Sequence, residues 1–138
     1  MLTLPDMSIA ENQKKDIKTP HRNTRTGALG EEITAQYLLA RGDEVLDRNW
    51  RIREGEIDLV TLGADGFFHF TEVKTRSSLA FGHPLEAITP DKAQRMGRLA
   101  LAWLATHGCL GCDYMIDVVS ILIARDGTHT LEIRENVL

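Results

Sequence analysis

Two short stretches of the sequence carry charged residues at the spacing of a β-strand. Glu72 and Lys74 are two residues apart in FTEVKTR. Glu56 and Asp58 have the same spacing in GEIDLV. Side chains at i and i+2 of a strand point to the same face, so each segment presents two charged groups side by side among apolar neighbours.

Carboxylates on neighbouring strands can hold a divalent cation. If the two segments pair across the turn between them, Asp58 approaches Glu72, and two carboxylates at about 4–5 Å repel by roughly 3–4 kcal/mol at an effective dielectric near 20. Mg²⁺ or Mn²⁺ between them reverses the sign, because these ions bind carboxylate, water and phosphate oxygens. Alternatively, Glu72 and Lys74 form an ion pair on a solvated face, which contributes only about 0–1 kcal/mol. The residues alone leave both interpretations open.

Two helices and five strands are predicted around these segments. The first helix ends before Gly42, a residue favoured just past a helix C-terminus. The second begins with Thr89 as N-cap and Pro90 at the first helical position. The three strand segments after the first helix are close enough in sequence for an antiparallel meander, so the expected class is α/β with an α-β-β-β-α-β core and a short last strand. The predicted elements are a helix at 29–41, strands at 45–52, 56–62 and 67–75, a helix from 90, and strands at 114–124 and 129–137.

Length and composition indicate one globular domain. The chain has 138 residues, of which 43% are hydrophobic and 26% charged, and residues 27–138 are expected to form the domain after a flexible tail at 1–26. No apolar run approaches the roughly 20 residues of a membrane span, and the N-terminus lacks the features of a secretory signal, so we expect a cytoplasmic protein. The net charge of −4 is unusual for a protein that coats nucleic acid. Acids gathered around a cation would contribute to that charge.

A lone C-x-x-C is formed by Cys109 and Cys112. With His107 it could be part of a zinc or redox site. However, a structural zinc ion normally has four ligands, and the sequence contains no second C-x-x-C. The pair is therefore interpreted as part of a glycine-rich turn.

Seven motifs follow one another in an order that resembles the YraN-like family of small bacterial proteins. That family is regarded as endonuclease-like, so the resemblance implies a restriction-endonuclease-like fold with a D…E-x-K active site, the PD-(D/E)XK pattern. It also implies similarity to archaeal Holliday-junction resolvases. The motifs are GxxGE at 27–31, RNWR at 48–51, GEIDLV at 55–60, FTEVKTR at 70–76, FG at 81–82, TPDK at 89–92 and IDVV at 116–119.

The resemblance assigns roles to individual residues. It implies that Asp58 and Glu72 are ligands of Mg²⁺ or Mn²⁺, with the carbonyl group of Val73 as a further ligand. Lys74 becomes the lysine of E-x-K, which orients the attacking water or stabilises charge on the phosphate. Glu31 would complete the site, although an acid near a helix start is also favoured by the helix dipole. The other acid of GEIDLV lies at the start of its strand and is left outside the predicted site.

The implied function is metal-dependent hydrolysis of phosphodiester bonds in structured or branched DNA, rather than RNA. Basic side chains would contact phosphates and carry little base specificity, although solvated surface charges and charge balance near the acids are alternative explanations. A non-catalytic nucleic-acid-binding module and a scaffold protein are the rival functions. A homodimer is plausible, because two-fold substrates suit two-fold enzymes. The predicted nucleic-acid contacts are Arg51, Arg53, Arg76, Lys92, Arg95 and Arg98.

Overall fold

The computed structural model describes residues 24–77 and 88–138, and the predicted element order is confirmed. Of the predicted tail at 1–26, residues 1–23 lie outside the described residues, whereas residues 24–26 belong to the first helix. The connection at 78–87, including the FG motif, also lies outside the described residues. The first helix begins at Thr24 rather than at the predicted Leu29. The prediction missed the first turn because that turn holds polar residues and Gly27, without apolar residues at helical spacing. The elements are α1 (Thr24–Arg41), β1 (Glu44–Ile52), β2 (Gly55–Leu62), β3 (Phe68–Arg76), α2 (Pro90–Thr106), β4 (Tyr114–Ile123) and β5 (His129–Arg134).

The five strands form one mixed sheet in the order β1-β2-β3-β4-β5. The first three are the predicted antiparallel meander. β3 and β4 are parallel, whereas β4 and β5 are antiparallel. A parallel pair needs a long crossover connection, and α2 lies within that crossover. β3 therefore lies between β2 and β4 in the sheet.

The two helices pack against opposite faces of the sheet. Phe70 belongs to the core beneath α2, together with Trp103 and Leu104 of that helix. Val73, three residues along β3, packs instead with Leu38 of α1 and other residues of a smaller core. Of the two helices in the described ranges, neither is long and apolar enough to cross a membrane.

Trp103 is the largest fully buried side chain in this core. Its ring packs against Phe68 and Phe70, with centroids 5.7 and 5.6 Å away. Its indole N–H donates a hydrogen bond to Oδ2 of Asp47 in β1 at 3.1 Å. The tryptophan thus joins α2 to both β1 and β3.

A buried polar network lies on the α1 side of β3. Nδ1 of His69 is 2.7 Å from Oδ2 of Asp117, and Nε2 is 3.0 Å from Oδ2 of Asp65. Burial lowers the pKa of His69, but the two carboxylates outweigh it, so the pKa of the imidazole lies above its ordinary value. Asp117 also accepts the backbone N–H of Asn136 at 3.0 Å. Each buried group thus has a partner, as buried charges require.

Cys109 and Cys112 lie in the turn between α2 and β4. Both are free thiols, and the backbone N–H of Cys112 donates to the carbonyl oxygen of Cys109 at 3.0 Å. The interpretation of this segment as a turn is confirmed.

Candidate metal centre

β2 and β3 separate at Asp58. Their antiparallel pairing ends where Leu59 lies opposite Thr71. One step further, the backbone N–H of Val73 donates to Oδ2 of Asp58 at 2.8 Å. The carboxylate therefore replaces a hydrogen bond of the strand ladder and lies in the gap between the two strands.

The alternation of side chains along β2 also breaks at Asp58. Ile57 and Val60 are three residues apart, yet both pack in the core beneath α2, whereas strict alternation would place them on opposite faces. Across from Asp58 in the register of β1, Asn49 has a φ of +51°. This left-handed conformation is uncommon for residues other than glycine. The distortion places Asp58 at the opening of the sheet instead of on a regular strand face.

Three carboxylates converge at this opening. Glu31 of α1 and Glu56 and Asp58 of β2 each offer one oxygen, and these oxygens all lie within 4.8 Å of one another. We call these three residues the acidic cluster. Burial raises the pKa of Asp58 well above its ordinary value, and the charge of Glu72 raises it further, followed by those of Glu31 and Glu56. The carboxylates thus disfavour one another's ionised forms in the absence of a cation.

Glu72 lies beside the acidic cluster but faces two lysines. Its Oε2 is 3.4 Å from Nζ of Lys74 and 3.1 Å from Nζ of Lys92. Burial lowers the pKa of Lys74, the adjacent Lys92 lowers it further, and Glu72 opposes both. The sequence assigned Lys92 to substrate contact, whereas the structure places its ammonium group inside the site. Of the predicted ligands, Glu31 and Asp58 are brought together, and Glu72 is held by lysines next to them.

The acidic cluster and the two lysines open into one cleft of about 590 Å³. That volume falls in the usual range of ligand-binding sites. One wall is α2, which contributes both charged and apolar side chains. The remaining lining residues are Gly27, Gly55, Glu72, Val73, Thr75, Arg95, Met96 and Leu99.

The predicted nucleic-acid contacts occupy different settings. Nε of Arg51 lies 3.2 Å from Oε1 of Glu56, and the arginine side chain is only 14% exposed, so the guanidinium offsets part of the charge of that glutamate. Arg95 lines the cleft and is exposed. The other arginines of the set are Arg53 and Arg98, which are exposed, and Arg76, which is partly buried.

Two residues of the site were not predicted from the sequence. Glu56 joins the acidic cluster, and the signal that could have found it is its same-face spacing with Asp58. Asn49 bridges the cluster: with its amide nitrogen turned towards the carboxylates, that nitrogen lies 3.2 Å from Oε2 of Glu56 and 3.2 Å from Oε1 of Glu31. Only its residue type hinted at this, since asparagine tolerates the left-handed conformation better than most residues.

Glycine at position 30 allows α1 to lie directly on β3. A Cβ atom at Gly30 would come within 3.0 Å of Cβ of Thr75, and closer still to the threonine hydroxyl. We expect Gly30→Ala to lower the free energy of unfolding by about 1–3 kcal/mol, because overpacking forces the helix away from the strand. The same shift would carry Glu31 away from the acidic cluster. Urea unfolding of the two proteins measures the effect.

Gly27→Ala is the matched control in the same helix. A Cβ atom at Gly27 would meet nothing within 4 Å, so this variant should equal or exceed the wild type in stability, as alanine favours a helix over glycine by about 0.5–1 kcal/mol. Equal stability of the two variants would contradict the close contact between Gly30 and Thr75.

Comparison with known proteins supplies the relatives of the chain. A family model described as uncharacterised protein family UPF0102 matches residues 30–121. The UPF0102 protein of Beutenbergia cavernae is 49% identical over 106 residues, which cover 77% of this chain and 89% of that protein. The UPF0102 protein of Clavibacter michiganensis is 47% identical over 112 residues, covering 81% and 94%. That of Trichlorobacter lovleyi is 39% identical over 110 residues, covering 80% and 87%.

Proposed function

The chain belongs to the UPF0102 family, which is the YraN-like family that its motifs resemble, and from this premise we propose that it is a metal-dependent endonuclease acting on DNA. The observation that carries the proposal is the convergence of three carboxylate oxygens next to two lysines in an open cleft. Carboxylates that hold a divalent ion and an ammonium group beside them are the components that phosphodiester hydrolysis needs.

The donor set of the acidic cluster suits Mg²⁺ or Mn²⁺. These ions take oxygen ligands in octahedral geometry at about 2.1 Å, which places pairs of ligand oxygens about 3–4.2 Å apart. The three carboxylate oxygens lie within 4.8 Å of one another, so small side-chain rotations would bring them to that distance. A divalent ion would also offset the repulsion that raises the pKa of Asp58.

Five charged residues of the cleft have proposed tasks. Glu31, Glu56 and Asp58 hold the ion, which when bound would supply positive charge to the scissile phosphate and promote deprotonation of water. Lys74 orients the attacking water or stabilises charge that develops on the phosphate. Glu72 keeps the ammonium group of Lys74 at the cleft. Glu72 and Val73 both line that cleft, and the carboxylate of the one and the carbonyl group of the other are the proposed further ligands.

The proposed substrate is DNA of branched or unusual structure, met in the cytoplasm. Exposed basic residues at and near the cleft, such as Arg95 and Arg98 of α2, suit a phosphate backbone and carry little information about base sequence. Recognition by backbone charge fits a preference for the shape of a substrate over its sequence. The net charge of −4 fits binding that strengthens when a cation neutralises part of the acidic cluster.

Cleavage of labelled DNA tests this proposal. Linear, flapped and four-way-junction substrates are incubated with the wild type and Mg²⁺ or Mn²⁺, and we expect cutting that EDTA abolishes. Lys74→Ala should slow cutting by about 10²–10³-fold, the usual cost of removing one group that stabilises developing charge. Arg134→Ala, which removes an exposed charge from β5, is the control and should cut like the wild type.

The other outcomes each support a rival function. Junction binding without cutting by the wild type would favour a nucleic-acid-binding module on the nuclease fold. If the wild type neither cuts nor binds these substrates, a scaffold protein would be favoured. Equal cutting by Lys74→Ala and the wild type would remove the lysine from the mechanism.

A further inference from the structure

We propose that Asn49 is a positioning residue of the candidate metal centre, whose side-chain amide holds Glu31 and Glu56 in place for a cation. The inference rests on the proposed metal site and adds a residue that touches neither the ion nor the DNA. Asn49 lies in β1, on the far side of β2 from the strand that carries Glu72 and Lys74. Its contribution therefore has to pass through the two glutamates.

The backbone of Asn49 is the first observation. Its φ of +51° lies in the left-handed region, within a strand that continues on both sides. In the chain segments that the structure describes, Asn136 is the other residue besides glycine with a positive φ. Asparagine enters this conformation more readily than most residues. Glycine would enter it more readily still, so backbone conformation alone does not explain an asparagine.

The side chain is the second observation. Carboxylates only accept hydrogen bonds, so the amide nitrogen is the atom that faces them. It lies 3.2 Å from Oε1 of Glu31 and 3.2 Å from Oε2 of Glu56. An amide NH₂ group has two donors, one for each carboxylate. Asn49 thus joins an acid of α1 to an acid of β2.

The amide of Asn49 is a neutral donor, and this suits it to a metal site. The other oxygen of Glu56, Oε1, already faces the guanidinium of Arg51 at 3.2 Å. A second cation at position 49 would neutralise the acidic cluster and compete with a metal ion. A neutral amide orients the same carboxylates and leaves their negative charge available. Partners of this kind behind metal ligands typically change metal affinity by about 10–100-fold when they are removed.

The variant Asn49→Gly tests the role of the side-chain amide separately from that of the backbone conformation. Glycine accepts the positive φ without strain, so the backbone conformation should be retained while both hydrogen bonds are lost. We expect Mn²⁺ affinity, measured by calorimetry on the full chain, to fall by about 10–100-fold. In the cleavage assay, the Mn²⁺ concentration for half-maximal rate should rise by a similar factor, and saturating Mn²⁺ should restore the rate.

Asn136→Gly is the matched control. It replaces the other asparagine with positive φ, and Asn136 contacts Asp117 through its backbone N–H, which glycine retains. Its Mn²⁺ affinity should equal that of the wild type. Asn49→Ala is the second variant: it loses the amide and also strains the backbone, so it should match Asn49→Gly in Mn²⁺ affinity but unfold at lower urea.

Two results would overturn the inference, and they can be told apart. If the wild type and Asn49→Gly bind Mn²⁺ equally, Asn49 does not position the glutamates, and the proposed nuclease stands. If the wild type itself binds no Mn²⁺, the proposed metal site is wrong, and so are the proposed nuclease and the positioning role of Asn49.

Discussion

An Asp58→Asn variant is expected to cut no DNA at any concentration of Mg²⁺ or Mn²⁺, and yet to be more stable than the wild type in EDTA. The amide oxygen of asparagine can still accept the N–H of Val73, which Oδ2 of Asp58 accepts at 2.8 Å. The link between the separated strands therefore survives. What is lost is the charge that a cation requires and that Glu72, Glu31 and Glu56 repel.

The sign of the stability change follows from the pKa of Asp58. Burial and the neighbouring acids raise this pKa well above its ordinary value of 3.8. A carboxyl group with a raised pKa binds its proton more tightly in the folded state, so the stability it contributes is present at low pH and is lost as pH rises through the folded pKa. The advantage of asparagine should consequently be small in acid and should grow as pH rises through that window.

Urea unfolding in EDTA at several pH values measures this advantage, and Mn²⁺ calorimetry measures the loss of the site. Asp58→Ala is the matched control: it is also expected to be inactive, but it offers no acceptor to Val73 and should be less stable than Asp58→Asn. Retained cleavage by Asp58→Asn would rule out the proposed metal site. A lower stability than the wild type in EDTA at neutral pH would contradict the raised pKa of Asp58, which burial and the neighbouring acids cause.

Trp103→Ala is expected to cost about 3–5 kcal/mol of the free energy of unfolding, the usual range for removing a buried aromatic ring. The ring is fully buried and packs against Phe68 and Phe70. Its removal leaves a cavity between α2 and the sheet. It also leaves the buried carboxylate of Asp47 without the indole N–H that donates to it at 3.1 Å.

Two controls divide this loss into its parts. Trp103→Phe keeps much of the packing but removes the indole N–H, so it should cost about 1–3 kcal/mol because Oδ2 of the buried Asp47 loses its donor. Leu101→Ala changes an exposed residue of the same helix and should stay within about 0.5 kcal/mol of the wild type. Urea unfolding ranks the variants, and a Trp103→Ala variant as stable as Leu101→Ala would contradict the central place of this ring in the core.

The fold could be predicted largely because the signals that start and end its helices and strands are local in sequence. Thr89 and Pro90 predict the start of α2, and Oγ1 of Thr89 does accept the backbone N–H of Lys92 at 3.1 Å. The meander followed from short turns between strand-like segments. The start of α1 could not be found in this way, because its first turn gains nothing from apolar spacing and depends on the rest of the helix lying on the sheet.

Sequence reasoning identified most residues of the candidate site, but it did not predict which of them contact one another. Spacing on a strand brings Asp58 near Glu72, but it assumes regular alternation, and β2 departs from that at Asp58 itself. Once Asp58 lies in the gap between strands, Glu56 can join it. Spacing also cannot tell which of several opposite charges a carboxylate will face. Glu72 meets Lys92 as well as Lys74 because α2 crosses the sheet there, which is a matter of tertiary packing.

The hydrogen bond between Asp58 and Val73 bears on which cation the cleft would select. Since Oδ2 of Asp58 accepts the backbone N–H, the other oxygen is the one left for coordination, which favours monodentate binding. Ca²⁺ commonly takes six to eight oxygens and bidentate carboxylates, whereas Mg²⁺ takes single oxygens in a small octahedral shell. The hydrogen bond that joins the two diverging strands would therefore also limit Asp58 to one coordinating oxygen. Such monodentate binding favours Mg²⁺ over Ca²⁺.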